Sequence, residues 1–544
     1  MATTGARSSA IMAAGTLVSR ILGFLKTMLL AVAIGGATNV GDVFALANTL
    51  PNQIYVLVAA GVFNAVLVPQ VIKASKHPDG GADYISRLLS LAVIGLFAVT
   101  GLVVLLARPI ISVMASGWSE QQIDLGVTFA LWCFPQIFFY GLYTVVGQIL
   151  NARGAFGAYM WAPALNNVVA IGALLVFVWL FGTQQSAQHT PESWTSQQTF
   201  WLAGMATVGV ALQALILFIP LKALKIGLGI KLGWRGIGLR TAGRLASWTL
   251  ATGVIANLAF LYVAHLATTP AGFRADYDVP IAGNNALDNS TMLYQLPHGV
   301  IGLSVATVLF NQMSRSAAEE DRDTLIATLS RGLRITCVAT IFCAVALVVF
   351  AGPIGVLFGG GGPVAGAVVG QVITVIALGG PFLTTSFMMG RMFYAHEDAK
   401  TPLINQAICA AYLIIGGFLI KHIQPDHIVF GLAGLYAGQN ILATLLYHRS
   451  LRRWLGDYDV ANIMTTHLRV TVAALLAGIG GFAVLTLLGG SDFSGFAWSN
   501  QITSLITIAA GGTLMGVLYL GALKLLHVRE LDGMVRMVRT RLGR

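Results

Sequence analysis

The sequence predicts an all-α polytopic membrane protein, with fourteen transmembrane helices forming two parallel six-helix lobes plus two extra C-terminal helices. Three observations carry that prediction. Of 544 residues, 56% are hydrophobic and only 10% are charged, with a mean hydropathy of +0.78. An average soluble chain carries about 25% charged residues and needs them to cover its surface. The apolar residues fall in runs of about 20, the length that crosses a bilayer core as a helix. The landmarks of the first half recur in the second. Disorder is excluded by the low charge. A disulfide scaffold is excluded because the four cysteines, Cys133, Cys337, Cys343 and Cys409, all sit inside apolar runs.

The first run, 9–34, contains Arg20 and Lys26 and lacks the small-residue cleavage site of a signal peptide. The second, 43–72, begins beside Asp42 and holds Pro51. The third, 86–107, stops before Arg108-Pro109, and the fourth, 123–150, contains Pro135 and Gly147. Runs 156–181 and 199–221 complete the first lobe. The second lobe opens with 244–268, which holds His265, and continues with 286–313 around Pro297 and 328–351 before Gly352-Pro353. It ends with 366–394, which holds Pro381 and Gly390, then 402–420 and 427–447. Runs 466–489 and 502–526 have no counterpart in the repeat. The predicted organisation is a lobe over 1–225, a lobe over 226–455, helices 13 and 14 within 456–526, and a basic tail over 527–544. From Lys524 onward the tail has six basic residues and an apolar stripe through Leu526, Val528, Leu531, Met534, Val535 and Met537. It reads either as a helix on the anionic leaflet or as a plain stop-transfer anchor.

The repeat rests on landmarks at one separation. Leu50-Pro51 matches Leu296-Pro297 at 246 residues, Pro109 matches Pro353 at 244, Pro135 matches Pro381 at 246, and Gly147 matches Gly390 at 243. Six helices return the chain to the side where it began, so the two copies share an orientation. Two such lobes make a transporter architecture in which rocking alternates access. Proline inside a helix removes a hydrogen bond and bends it, although membrane helices tolerate proline routinely.

With both termini on one side, the loops of that side hold 26 of the 32 Lys and Arg residues. The opposite side holds Arg108, Arg274 and Lys421. This bias places both termini in the cytoplasm. It also accounts for most of the formal charge of +11, so nucleic acid is not an expected partner.

Arg20 lies near the middle of the first span, where a charge costs about 2.5–3.5 kcal/mol and normally faces a cavity or a partner. Lys26 is some 120° around the helix from it, and Ser19 and Thr16 add hydroxyls. In the alternative reading Lys26 snorkels to an interface or Arg20 pairs with a carboxylate. Asp42 either pairs with Lys26 or complements the N-terminus of span 2. Asn48, Asn52, Gln53 and Asn64 continue a polar strip, which Asp288, Asn289, Gln295, His298 and Asn311 match in the second lobe. Asn166, Asn167, Gln439 and Asn440 read as interhelical glue, and His265 as a hydrogen-bonded structural residue. No Glu falls within a span. A cationic cavity between apolar helices suits an anionic substrate with a lipid portion, whereas a drug-cation exporter calls for intramembrane carboxylates. The cluster Glu319-Glu320-Asp321 reads as a solvated charge run. Gly359 to Gly362 lack the Lys-Ser/Thr of a Walker motif.

The string Ser19-Arg20-Ile21-Leu22-Gly23-Phe24, then Asp42, Leu50-Pro51-Asn52, Gly61-Val62-Phe63 and Pro69-Gln70, resembles the MurJ/MviN family. These are the lipid II flippases of the multidrug/oligosaccharidyl-lipid/polysaccharide exporter superfamily. The resemblance implies a transporter that carries undecaprenyl-diphosphate-linked disaccharide-pentapeptide from the inner to the outer leaflet of a bacterial plasma membrane, for peptidoglycan synthesis. It implies membrane lipid and cell-wall synthesis proteins as partners, and no catalytic residue, cofactor or metal. The family's two span-1 cations fall on Arg20 and Lys26, the second being Lys in place of Arg, and its acidic residue falls on Asp42. A family Arg falls on Tyr55, a Glu near Ala60 and a span-8 Arg near Met292, so three family charges are missing here. The residues expected to bind substrate are Arg20, Lys26, Asp42, Ser19, Asn52, Tyr55 and His298. Other functions admitted are a flippase for another polyprenyl-linked glycan, an ion-coupled drug exporter, a metal-dependent enzyme acting on lipid diphosphates, and a scaffold for wall-synthesis enzymes.

Overall fold

The computed structural model describes residues 2–59, 81–233 and 239–531. It divides into two compact units, Met1–Gly272 and Phe273–Arg544, and among the described residues there is no strand. Thirteen of the described helices are long and apolar enough to cross a membrane, and they fall on thirteen of the fourteen expected runs. The remaining run, 43–72, is helical over Asn39–Ala59. Its continuation, and the tail beyond 531, lie outside the described residues.

The first unit contains α1 (Ala2–Ile34), α2 (Asn39–Ala59), α3 (Ala82–Leu105), α4 (Ala107–Met114), α5 (Glu120–Cys133), α6 (Gln136–Ala152) and α7 (Phe156–Phe181). It continues with α8 (Met205–Leu215), α9 (Phe218–Ala223) and α10 (Leu239–Thr268). α1 lies along α7, with Gly23 against Asn167, and turns Leu17, Ile21 and Leu25 outward at i, i+4 spacing. The core joins Phe44 of α2, Phe129 of α5 and Phe177 of α7, with Phe44 and Phe129 edge to face at 5.6 Å. α10 opens the second lobe in the sequence reading; in the structure it packs on α2 and α4 within the first unit. Carbonyls at its end and in the 3₁₀ turn that follows, Thr269–Asp276, accept from side chains. Trp118 Nε1 donates to the Thr268 carbonyl at 3.0 Å, and Gln122 Nε2 donates to that of Ala271 at 3.1 Å. His265 meets the Met114 carbonyl at 3.3 Å, a structural hydrogen bond.

The second unit contains α11 (Asn284–Pro297), α12 (Leu303–Ala318), α13 (Arg322–Val349), α14 (Ala351–Gly359), α15 (Pro363–Ala377) and α16 (Gly380–Ala395). It ends with α17 (Lys400–Ile420), α18 (Pro425–Leu455), α19 (Val460–Leu487) and α20 (Gln501–Leu525). The two helices outside the repeat pack together and onto α13 and α14, around Phe350, Val470, Ala474, Met515 and Leu523. Tyr519 donates its hydroxyl to the Val338 carbonyl at 2.5 Å. α14 and α15 approach backbone to backbone: a Cβ on Gly355 would lie 2.0 Å from the Gly366 carbonyl oxygen.

Pro109 and Pro353 break their helices in the same way in both units. A proline ring clashes with the carbonyl four residues earlier. Pro109 lies four residues beyond the end of α3 at Leu105, and Pro353 four residues beyond the end of α13 at Val349. The chain turns at Leu106 (φ −93, ψ 14) and Phe350 (φ −99, ψ 19), then resumes as α4 and α14. Each proline then occupies the first turn of its helix, where a missing N–H costs no hydrogen bond. Pro135 separates α5 from α6, and Pro381 stands at the start of α16 after α15. Pro51 remains inside α2, whereas Pro297 is followed by a single π-helical turn, His298–Gly302.

Candidate functional site

The first unit holds a partly open cavity whose only charged lining residue among those described is Lys26. Its polar lining comes from four helices: Asn48 from α2, Gln136 and Tyr140 from α6, Asn166 from α7, and Lys26 from α1. Leu30, Phe44, Leu174 and Trp201 are among the apolar remainder.

The polar groups are ordered by one another. Gln136, fully buried, donates through Nε2 to Asn48 Oδ1 at 3.3 Å and to Thr207 Oγ1 at 3.0 Å, and its Oε1 accepts from the Tyr140 hydroxyl at 3.2 Å. Thr207 in turn donates to the Trp132 carbonyl at 2.6 Å. Gln136 follows Pro135 directly, so the break between α5 and α6 is what turns this amide toward α2 and α8. Asn166 fits because it backs onto Gly209, where a Cβ would lie 2.5 Å from its Oδ1. Among the described residues Lys26 has no carboxylate within ion-pair distance. An ammonium with no carboxylate partner among the described residues, beside neutral amides and a phenol in an apolar unit, is chemistry that suits an anion.

The other expected substrate residues distribute as follows. Arg20 is half-buried on α1, and no carboxylate among the described residues pairs with it. The Ser19 carbonyl accepts from Asn167 Nδ2 at 2.8 Å, which fixes α1 on α7 and accords with the glue reading of that Asn. Asn52 is exposed on α2. Tyr55 donates to Thr144 Oγ1 at 2.6 Å and its ring lies 6.1 Å from that of Tyr140, beside the cavity wall. Asp42 is fully buried in the first turn of α2, the position of a helix N-terminal charge. In the second unit His298 Nδ1 lies 3.2 Å from Thr384 Oγ1, and its ring stands edge to face with Phe387 at 4.9 Å.

Sequence reasoning missed two things. Gln136 and Tyr140, which organise the Lys26 cavity, were not singled out. Arg391, one of the 26 Lys and Arg residues that the sequence reading assigns to the loops of the cytoplasmic side, lies inside α16 with its guanidinium 4.5 Å from the Phe387 ring and 5.6 Å from that of Phe310. Arg391 and His298 thus share Phe387. The signal was Phe387 four residues before Arg391, a spacing that stacks a cation on a ring along one helix face. Among the described residues no group of three or more His, Cys, Asp or Glu is placed to hold a metal ion.

Comparison with known proteins agrees with this architecture. A family model described as lipid II flippase MurJ matches residues 31–491, beginning just beyond the two span-1 cations. The chain is 28% identical over 410 residues to a protein of Rhizobium meliloti (strain 1021) named probable lipid II flippase MurJ, covering 73% of this chain and 71% of that one. It is 28% identical over 406 residues to the lipid II flippase MurJ of Burkholderia cenocepacia, covering 71% and 73%. Among solved structures, lipid II flippase MurJ in an inward closed conformation superposes with a TM-score of 0.70 at 19% identity, over 95% of this chain and 99% of that one. An inward-facing multidrug resistance MATE family transporter superposes at 0.65 with 14% identity, over 81% and 95%, so the fold is shared across both groups. With the family model matching most of its length, the chain belongs to the lipid II flippase MurJ family.

Proposed function

We propose that this protein flips the undecaprenyl-diphosphate-linked disaccharide-pentapeptide lipid II from the inner to the outer leaflet of a bacterial plasma membrane, by alternating access, to supply peptidoglycan synthesis. It is a transporter and not an enzyme, and both termini lie in the cytoplasm. The observation that carries the proposal is Lys26, a cation without a carboxylate partner among the described residues, held in a polar cavity inside an apolar helical unit. Lys26 and Arg20 neutralise the diphosphate, Tyr55 and Asn52 offer hydrogen bonds nearby, and the polyprenyl tail stays in lipid. Ser19 and Asp42 act through the backbone of α1 and the N-terminus of α2. In the second unit His298, with Arg391 against the same Phe387 ring, supplies the cation that the span-8 position lacks.

The test uses purified protein in liposomes loaded with labelled lipid II, with and without an imposed membrane potential. Wild type is expected to move label to the outer leaflet, and Lys26→Glu and Arg20→Glu to lose this without loss of folded protein. Transport no faster than in protein-free vesicles would overturn the proposal. The MATE-like fold gives the second reading, an ion-coupled drug exporter, which export of a cationic dye from the same vesicles would favour.

A further inference from the structure

The second unit holds another cavity, partly open, that has no place in the transport scheme. It lies between α13, α19 and the turn after α20, and Arg334, Arg469, Arg529 and His527 line it together with Asn462, Thr465, Thr466 and Glu530. The charges are unequal in availability. Arg334 is ion-paired with Glu530, whose side chain is 7% exposed, and its Nε donates to Ser330 Oγ at 3.2 Å. Ser330 and Asn462 both donate to Asp459 Oδ2, at 2.5 Å and 3.2 Å. The one carboxylate in the lining is therefore already committed to the one half-buried Arg. Arg469 spends one Nη on the His527 carbonyl at 3.4 Å. Arg469 and Arg529 are exposed, and neither has a carboxylate within ion-pair distance among the described residues. The chain reaches Arg529 through His527 at φ +52, a left-handed turn that reverses it after α20.

Depth says what such a site meets. α19 has 28 residues, about 42 Å of helix against a hydrocarbon core of about 30 Å. Some 12 Å therefore stands outside the core, and Arg469 lies about 14 Å from the helix start at Val460. Lys524 closes the last turn of α20 on the same side. Arg469 thus starts at the edge of the core, and its long side chain reaches headgroup level, on the side that the Lys and Arg distribution assigns to the cytoplasm.

We propose that this cavity binds a phosphate group through Arg469 and Arg529, the headgroup phosphate of an anionic phospholipid or free inorganic phosphate. Two guanidiniums match a phosphate's acceptor oxygens; the hydroxyls of Thr465 and Thr466 are spent on the Ala461 and Asn462 carbonyls, at 2.8 and 3.0 Å, so the arginines carry the binding. Arg334 and Glu530 hold the floor rigid, so the ligand is not asked to order it. The site belongs to the two helices outside the repeat and does not depend on what the protein carries.

The experiment measures binding of labelled phosphatidylglycerol to the full chain in nanodiscs of zwitterionic phosphatidylcholine, with inorganic phosphate titrated separately in detergent by thermal shift. Wild type is expected to retain phosphatidylglycerol, and Arg469→Gln with Arg529→Gln to weaken it at least about ten-fold. Arg331→Gln, an exposed cation outside the cavity, is expected to leave it unchanged. Thr465→Trp, which fills the cavity from an exposed position, is the second probe should the double variant fold poorly; it too is expected to release the lipid. A stabilising shift with phosphate that the double variant loses, without any lipid preference, identifies the occupant as the free anion. Retention of phosphatidylglycerol by both cavity variants, or equal loss in Arg331→Gln, would overturn the proposal. Lipid II flipping is a separate readout, so its failure leaves this result standing.

Discussion

Gln136→Met tests whether the Lys26 cavity is organised by its amide. The substitution keeps volume and removes three hydrogen bonds, to Asn48, Thr207 and Tyr140. Two of them join helices, α6 to α2 and α6 to α8. Interhelical hydrogen bonds in membranes average about 0.6 kcal/mol each, so their loss costs about 1.2 kcal/mol. Thr207 keeps its bond to the Trp132 carbonyl and Asn48 Oδ1 keeps a weak one from the Cys133 thiol at 3.9 Å, so little desolvation penalty is added. The Tyr140 hydroxyl borders the cavity, where water replaces the lost partner. The expected total is about 1–2 kcal/mol, read by unfolding in mixed micelles. A double-mutant cycle with Thr207→Val should return a coupling of about 0.6 kcal/mol. Zero coupling together with unchanged stability would show that the amide orders nothing, and the account of the cavity would fall with it.

Four further outcomes are expected. Gly355→Ala would bring a Cβ to 2.0 Å from the Gly366 oxygen; the helices must part, costing about 1–3 kcal/mol, seen as a lower melting temperature in detergent. Lys26→Arg should keep lipid II transport while Lys26→Gln lowers substrate affinity by about ten-fold or more, measured by titration in detergent. Asp398 accepts from the N–H groups of Lys400 and Thr401 at the start of α17, at 2.9 and 3.1 Å. Partial burial alone would raise its carboxyl, but these bonds and that of the Thr401 hydroxyl outweigh it and hold it below the usual range. Its stabilisation is therefore present above the unfolded value of about 3.9 and lost as pH falls through the lower folded value; Asp398→Ala should cost about 1 kcal/mol at neutral pH and nothing in strong acid. Phe387→Leu should cost about 0.5–2 kcal/mol by removing the ring under Arg391, measured by the same unfolding assay.

Much of the architecture was legible because membrane insertion leaves few options. A run of apolar residues must be helical, since only a helix satisfies its own backbone in lipid. Pro109 and Pro353 marked the ends of α3 and α13 because the clash with the fourth preceding carbonyl is local and needs no tertiary context. Lys26 stood out because a charge in an apolar run is costly wherever it points. The cavity itself was not legible. Gln136 and Tyr140 become neighbours of Asn48 and Thr207 only through the packing of α2, α6 and α8, which no spacing along one helix records. Arg391 was hidden by a boundary: near the end of an apolar run, a cation reads as loop until the ring beneath it is seen.

The seam between α14 and α15 has a mechanical consequence. Gly355, Gly359, Gly366 and Gly370 put main chain against main chain, too close for one helix to slide on the other. Such a pair moves as a single strut. Spin labels on the two outer faces should keep one separation through the whole transport cycle, and any swing must be taken up at the strut's ends, at Phe350 and at Leu378-Gly379.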